Sequence, residues 1–483
     1  MGGKAAAWVV LVLASATAAA AAEELRLPGA VGPCPAWLKD DAPFDVGTFF
    51  AQPRAEEDAA PLYLEALAEF GPDLEATLEA AGRAPVAGTK GRQERILALF
   101  AAIGRDADPA DPEAVDALLA ELDEGFRKLA DAQRRPACVF KTGLGYDALL
   151  PHAQQARQVA RAATLRAWRG ADAGEIDRPI GDLEMTLRLA RDLGPRGGAI
   201  VQLVSAAMDG QVFNNAVPLL LDSRGLRVEH CDRLIAAMGR HEAAGVDRFQ
   251  TGVKAEYVAL RTTLRLLREN RRAVAGPGGR AVDEKVTPLQ AAEALDALMS
   301  PEDRRTDPRG LAVLIRAHGP WWDREREVMD DFTRTMLSPA ASRYADRARL
   351  HDELMAKHLG GRFPRSPWVC QLLIPDYKLL ALTAARGECY NRAARARVAI
   401  ARWRLTHGGA DPVDLAAACR EAGLPGTPAD PFGDGPLGTA SVDGTLVVYS
   451  VGPDGVDDRG LKDSNLGREP LGDLIFAAPA APR

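Results

Sequence analysis

The chain has 483 residues, 47% of them hydrophobic and 26% charged, with a formal net charge of −7. That length exceeds one ordinary core and points to two or three domains, and the composition excludes a disordered or fibrous chain. An acidic balance with interspersed signs excludes a nucleic-acid partner gripped by bulk electrostatics.

At the start, "MGGKAAAWVVLVLASATAAAAAEE" sets Lys4 before an apolar run from Ala5 to Ala14 and a stretch of small residues ending at Ala22. A basic residue, a short apolar run and small residues in that order read as a secretory signal peptide over 1–22, cleaved near Ala22. An uncleaved membrane anchor is the alternative. Export is therefore expected, with the mature chain periplasmic or extracellular and without a transmembrane segment. The next most apolar stretch, "CQLLIPDYKLLALTAA", is broken by Asp376 and Lys378. In an oxidising compartment Cys34, Cys138, Cys231, Cys370, Cys389 and Cys419 read first as structural disulfides, with Cys389 and Cys419 the leading pair, and second as buried free thiols.

Between Asp58 and Leu405 helical periodicity dominates. "PLYLEALAEF" puts Leu62, Leu64, Leu67 and Phe70 near one face, and "AVDALLAELDEGFRKLADAQRR" does the same with Val115, Leu118, Leu119, Leu122, Phe126 and Leu129. The same spacing predicts helices over 152–169, 180–193, 200–221, 227–241, 247–270, 288–299 and 324–336, with Pro and Gly mostly between them. No spacing of Trp, Tyr, Gly or Pro repeats, which argues against a solenoid. Within this body, 23–370, the segment "NRRAVAGPGGRAVDEKVTP" at 270–288 reads as an exposed loop or hinge.

The character changes after one more long helix, whose pattern ends at Gly408 and Gly409, residues suited to a C-cap. A short helix follows in "DPVDLAAACREAG", then turns rich in Pro, Gly and Asp. "SVDGTLVVYS" reads as a β-hairpin turned at Asp443 and Gly444, with Leu446 to Tyr449 as its second strand, and "DLIF" as a further strand. The predicted fold class is mainly α: an irregular multi-helix body followed by a small α+β module over 371–483.

Three stretches in that module carry a resemblance. "AIARWRLTHGGADPVDL" resembles the end of the spine helix and the glycine-rich turn of the major pseudopilins of type II secretion systems. "LPGTPADPFGDGPLG" resembles their Asp-Pro-aromatic-Gly turn, and "VVYSVGPDGVDD" with "GDLIF" resembles their Tyr-Ser-X-Gly-X-Asp-Gly loop and closing Asp. The resemblance covers residues 375–476. A pseudopilin opens with a cleaved leader and a wholly apolar helix, whereas this tail follows the whole helical body. The resemblance thus implies the small pseudopilin-like fold and its loop rather than assembly into a pseudopilus. Exported proteins ending in such a tail are similar to a group of large proteins of planctomycete-like bacteria.

In pseudopilins the loop holds a structural calcium ion. That implies calcium here, with Asp454, Asp457, Asp458, Asp463 and Asp473 as carboxylate ligands and help from Ser464 and the carbonyls of Tyr449 to Val451. Calcium takes about six to eight hard oxygens, which such a loop can offer. Against it, Asp and Gly form turns without any ion, and Arg459 and Lys462 can neutralise the same carboxylates. The spacing is not that of an EF-hand.

Other motifs are negative. "HEAAG" at His241 has Gly245 where a zinc protease needs its second histidine. In "HDELMAKH", His351 and His358 stand about two helical turns apart, roughly 10 Å, too far for one metal. There is no Gly-X-Ser-X-Gly elbow, Walker loop or dinucleotide fingerprint. Trp321 and Trp322 in "HGPWWDRERE" could line a groove for sugar or peptide, although core packing is the default. The expected function is that of an exported, non-enzymatic structural or interaction protein with protein partners in the cell envelope. The alternatives are an extracytoplasmic enzyme whose catalytic groups converge from separate helices, and a component of a secretion or pilus-like assembly.

Overall fold

The computed structural model describes residues 36–39, 42–80, 83–84, 86–103, 110–140, 150–269, 271–275, 281–285, 287, 289–290, 293, 319–359, 367–442, 445–460 and 472–478. The expected signal peptide, Cys34, Asp463, Ser464 and nearly all of the helix expected over 288–299 lie outside them.

The main elements are helices α1 (Ala60–Leu67), α2 (Thr89–Ala102), α3 (Pro112–Ala132), α4 (Pro151–Ala173), α5 (Asp177–Leu193), α6 (Ala199–Gln211), α7 (Val228–Ala244) and α8 (Arg248–Arg268). A hairpin of β1 (Arg271–Ala275) and β2 (Ala281–Lys285) follows, then α9 (Gly319–Met336), α10 (Tyr344–Leu359), α11 (Tyr377–Thr406) and α12 (Leu415–Glu421). Strands β3 (Gly438–Val442), β4 (Thr445–Ser450) and β5 (Leu474–Ala477) close the described chain as an antiparallel sheet in that order. The protein is mainly helical with a small C-terminal sheet.

Local chemistry explains the boundaries. Asp111 opens α3 by accepting a hydrogen bond from the Glu113 N–H at 3.0 Å, with Pro112 in the first helical position, where its missing N–H costs nothing. Val115, Leu118, Leu119, Leu122, Phe126 and Leu129 are all buried along it, as their spacing requires. In α1 the buried face belongs instead to Tyr63, Ala66 and Leu67, while Leu62 and Leu64 are only partly covered. The helix expected over 200–221 is interrupted by a π turn at Val212–Ala216, where the Val217 N–H donates to the Val212 carbonyl. Pro218 lacks an N–H, so the Asn214 carbonyl has no α-helical donor, and the wider turn accommodates this.

Two hydrophobic clusters form the interior. One gathers α1, α3, α4, α5, α6, α7, α12 and the sheet; the other gathers α8, α9, α10 and the N-terminal residues Leu38, Val46 and Phe50. The 30-residue helix α11 belongs to both: Tyr377, Leu380, Ala381 and Ala384 pack in the second, and Cys389 to Ala401 in the first. Buried alanines on most sides of α11 let neighbouring helices approach closely. Asp376 caps its start by accepting from the Leu379 N–H at 3.0 Å. Its end closes on Gly408 and Gly409, at φ 64° and 90°, with the Gly409 N–H donating to the Arg404 carbonyl at 2.8 Å. The boundary drawn at residue 371 marks no gap in packing, because α11 and the sheet share a core with the helices before them.

Two expectations need correction. Residues 270–288 contain a five-pair antiparallel ladder from Arg271–Lys285 to Ala275–Ala281, so the Gly-Pro-Gly-Gly run separates two strands rather than marking a plain loop. The described cysteines, Cys138, Cys231, Cys370, Cys389 and Cys419, are free and buried, so Cys389 and Cys419 do not form the expected bridge. Both sit inside the first cluster as small apolar side chains, and burial raises both thiols, Cys419 to about 11. Among the described residues no helix is long and apolar enough to cross a membrane.

Candidate functional site

The aspartate loop lies between β4 and β5. Asp430, from the Asp-Pro-aromatic turn, is buried and reaches into it: its Oδ1 accepts from the Ser450 hydroxyl at 2.7 Å and its Oδ2 from the Val451 N–H at 2.9 Å. The loop then turns through Gly452, at φ 70°, where a Cβ would meet the Gly472 carbonyl oxygen at 2.1 Å. Only glycine suits both the left-handed backbone and the close approach.

The structure brings Asp454, Asp457, Asp458 and Asp473 into this one loop, but mostly as acceptors for backbone N–H groups. Asp454 takes Val456 at 3.1 Å and Gly472 at 2.7 Å; Asp457 takes Arg459 at 2.8 Å. Asp473, fully buried, takes Asp458 at 3.3 Å and Gly460 at 2.6 Å, and burial pushes its carboxyl above the usual range against the pull of those two donors. Among the described residues no three His, Cys, Asp or Glu side chains converge to hold a metal ion. One oxygen, Oδ2 of Asp458, is buried without a partner, and Asp463 lies outside the described residues.

A second site was not expected. Where α11 passes from one core to the other, a cavity of about 320 Å³ opens between α5, α6, α7, α8 and α11. Among its lining residues Asp209 of α6 is 1% exposed. Its Oδ2 lies 3.0 Å from His241 Nε2 and accepts from Arg248 Nη2 at 2.5 Å. Burial opposes the charge on Asp209, but Arg248 and His241 overcome it and hold the carboxyl below its ordinary value. Asp247 caps α8 by accepting from the Gln250 N–H at 3.0 Å, which sets Arg248 at the mouth of that helix. Gly387 of α11 leaves room for the guanidinium: a Cβ there would come within 3.0 Å of Arg248 Nη1.

From α7 and α11, Glu242, Glu388, Asn391 and Arg392 also line the cavity. Glu242 accepts from Arg392 Nε at 2.8 Å and from Arg395 Nη1 at 2.6 Å, while Glu388 stands half exposed, 3.4 Å from Arg392. Ser205 spends its proton on the Ala190 carbonyl at 2.6 Å. Asn391 donates from Nδ2 to the Met238 carbonyl at 3.2 Å.

The remaining sequence candidates stay apart. His358 Nε2 lies 2.6 Å from Asp331, and His351 Nε2 lies 3.8 Å from Asp376, so the two histidines serve different acids. Trp322 is buried, as core packing predicts.

No protein-family model, no curated protein and no solved structure matches the chain.

Proposed function

We propose that this chain is an exported, non-enzymatic interaction protein, whose helical body holds a ligand in the cavity between α5, α6, α7, α8 and α11 and whose pseudopilin-like tail docks onto protein partners of the cell envelope. The observation that carries the reading is Asp209. A carboxylate that is buried, doubly paired and held ionised is a fixed charge, suited to recognition rather than to passing protons. The neighbouring groups support the same view, since Glu242 is clamped by two arginines and the Ser205 hydroxyl is spent on a carbonyl. Calcium is proposed as a structural ion of the tail, supported by the unpartnered Oδ2 of Asp458 and requiring Asp463.

Equilibrium dialysis of the full chain against a defined mixture of amines, amino acids and dicarboxylates tests the binding half. Retention of a component in chemically unchanged form is the expected result; its conversion to a product would replace this reading with the enzymatic one. Expression with export and N-terminal sequencing tests the other half, with a mature chain beginning at Glu23 expected.

A further inference from the structure

The cavity is uneven in what it leaves unsatisfied. Three of the residues that line it carry buried atoms without a hydrogen-bond partner: Asp209 at Oδ1, His241 at Nδ1 and Asn391 at Oδ1. All three residues are more than nine-tenths buried. Two of these atoms are acceptors outright. The third is an acceptor as well when His241 directs its Nε2–H at Asp209, because Nδ1 then carries the lone pair. Ser205, whose proton is already given to Ala190, adds a hydroxyl oxygen that can only accept.

Apart from the tautomer-dependent His241 Nδ1, no buried donor atom of the described lining side chains lacks a partner. Arg248 donates to Asp209, and Arg392 donates to Glu242 and to the Ala429 carbonyl. Arg191 faces Asp192, outside the cavity lining, with 3.5 Å between Nε and Oδ1. The acids, by contrast, keep free capacity: Glu388 is half exposed with one long pairing, and Asp209 has both of its donors on the same oxygen. Buried acceptors in native proteins find a donor, in protein, water or ligand. A cavity of this size holds a small molecule.

We propose that the cavity binds a small organic cation, a primary alkylammonium whose N–H groups are taken by Asp209 Oδ1, Asn391 Oδ1 and Glu388. This rests on the binding reading given above and names the ligand class for it. An ammonium brings three donors and a positive charge, matching the unpartnered oxygens of Asp209 and Asn391 and the half-exposed carboxylate of Glu388. A carboxylate ligand would meet those same acceptors with no proton to share.

Calorimetric titration of the full chain with 1,4-diaminobutane, and in parallel with succinate as an anion of similar length, tests the assignment. The diamine is expected to bind at least about tenfold more tightly than succinate, a difference of about 1.4 kcal/mol. Asp209→Asn should weaken the diamine by a further factor of about ten. Because that variant alters a buried pair, Glu388→Gln provides the control: at a half-exposed position it should keep the melting temperature and still weaken the diamine several-fold. Succinate binding as tightly as the diamine, absence of diamine binding, or a diamine affinity indifferent to both substitutions would overturn the proposal. Succinate binding would leave the interaction reading standing while removing the cation. Diamine binding followed by its chemical conversion would keep the cation and remove the non-enzymatic reading.

Discussion

Tyr390 of α11 meets Phe476 of β5 edge-on, with ring centroids 5.8 Å apart and planes at 78°. Phe476 is 7% exposed, and with Val448 and Leu474 it belongs to the same cluster as the helices of the first half of the chain. Phe476→Ala is expected to cost about 3–5 kcal/mol, part of it the edge-on aromatic contact. Because the sheet and the body share one core, urea unfolding followed by tryptophan fluorescence and by far-ultraviolet dichroism should shift together in this variant. A separate early transition of the sheet alone would contradict the shared core.

His152 makes stability depend on pH. It is buried against Phe140, with ring centroids 4.6 Å apart, and burial lowers it from 6.5 to about 4. Between those values the unfolded chain holds the proton and the folded chain does not, so stability falls as pH falls. The loss begins near pH 6.5 and is complete below about 4, reaching at most about 3 kcal/mol. His152→Phe keeps an aromatic ring on Phe140 and removes the proton. Denaturant midpoints measured from pH 7 to 4 should therefore fall less steeply in the variant than in the parent.

Asp473 tests how the C-terminal loop is held. Replacing it by Ala leaves the N–H groups of Asp458 and Gly460 without acceptors, at about 1–3 kcal/mol for each donor left buried and unpaired. Gly452→Ala should also destabilise, since it demands a left-handed backbone and drives a Cβ into the Gly472 carbonyl. Thermal melting of both variants checks the pair, and a neutral Gly452→Ala would mean that the turn relaxes easily.

Calcium in that loop makes its own prediction. If the ion is bound only by the folded chain, a hundredfold excess over its dissociation constant adds about 2.7 kcal/mol, and chelator removes it. The melting temperature of the full chain should rise in calcium, and Asp458→Asn should abolish the rise while leaving the chelated protein nearly unchanged. An identical melt with calcium and chelator would assign the aspartates to turn formation alone.

What the sequence made legible was local. The burial of Val115 through Leu129, the C-cap at Gly408 and Gly409, the pairing of β3 with β4 and the strand at "DLIF" all follow from period and turn chemistry within a short window. The π turn escaped because Pro218 reads as ordinary within an otherwise apolar helix. The hairpin at 271–285 escaped because its Arg-rich and acidic strands lack an apolar alternation. The cavity was out of reach for another reason: residues 209, 241, 248 and 388–392 lie on four helices, and nothing in their spacing says that α11 will bring them together. His241 was set aside for lacking a second histidine, when its partner is an aspartate 32 positions earlier.

The π turn at Val212–Ala216 bears on how this chain can change length. It stores one residue more than an α-helix would place between Ala199 and Leu221. Deleting a residue elsewhere in that helix would rotate everything beyond it by about 100°, turning Phe213 or Leu220 out of the core. Deleting one inside the turn would return the ladder to α geometry and keep both flanking faces where they are. A single-residue deletion inside the turn is thus expected to disturb the packed flanks less than a deletion elsewhere in the helix.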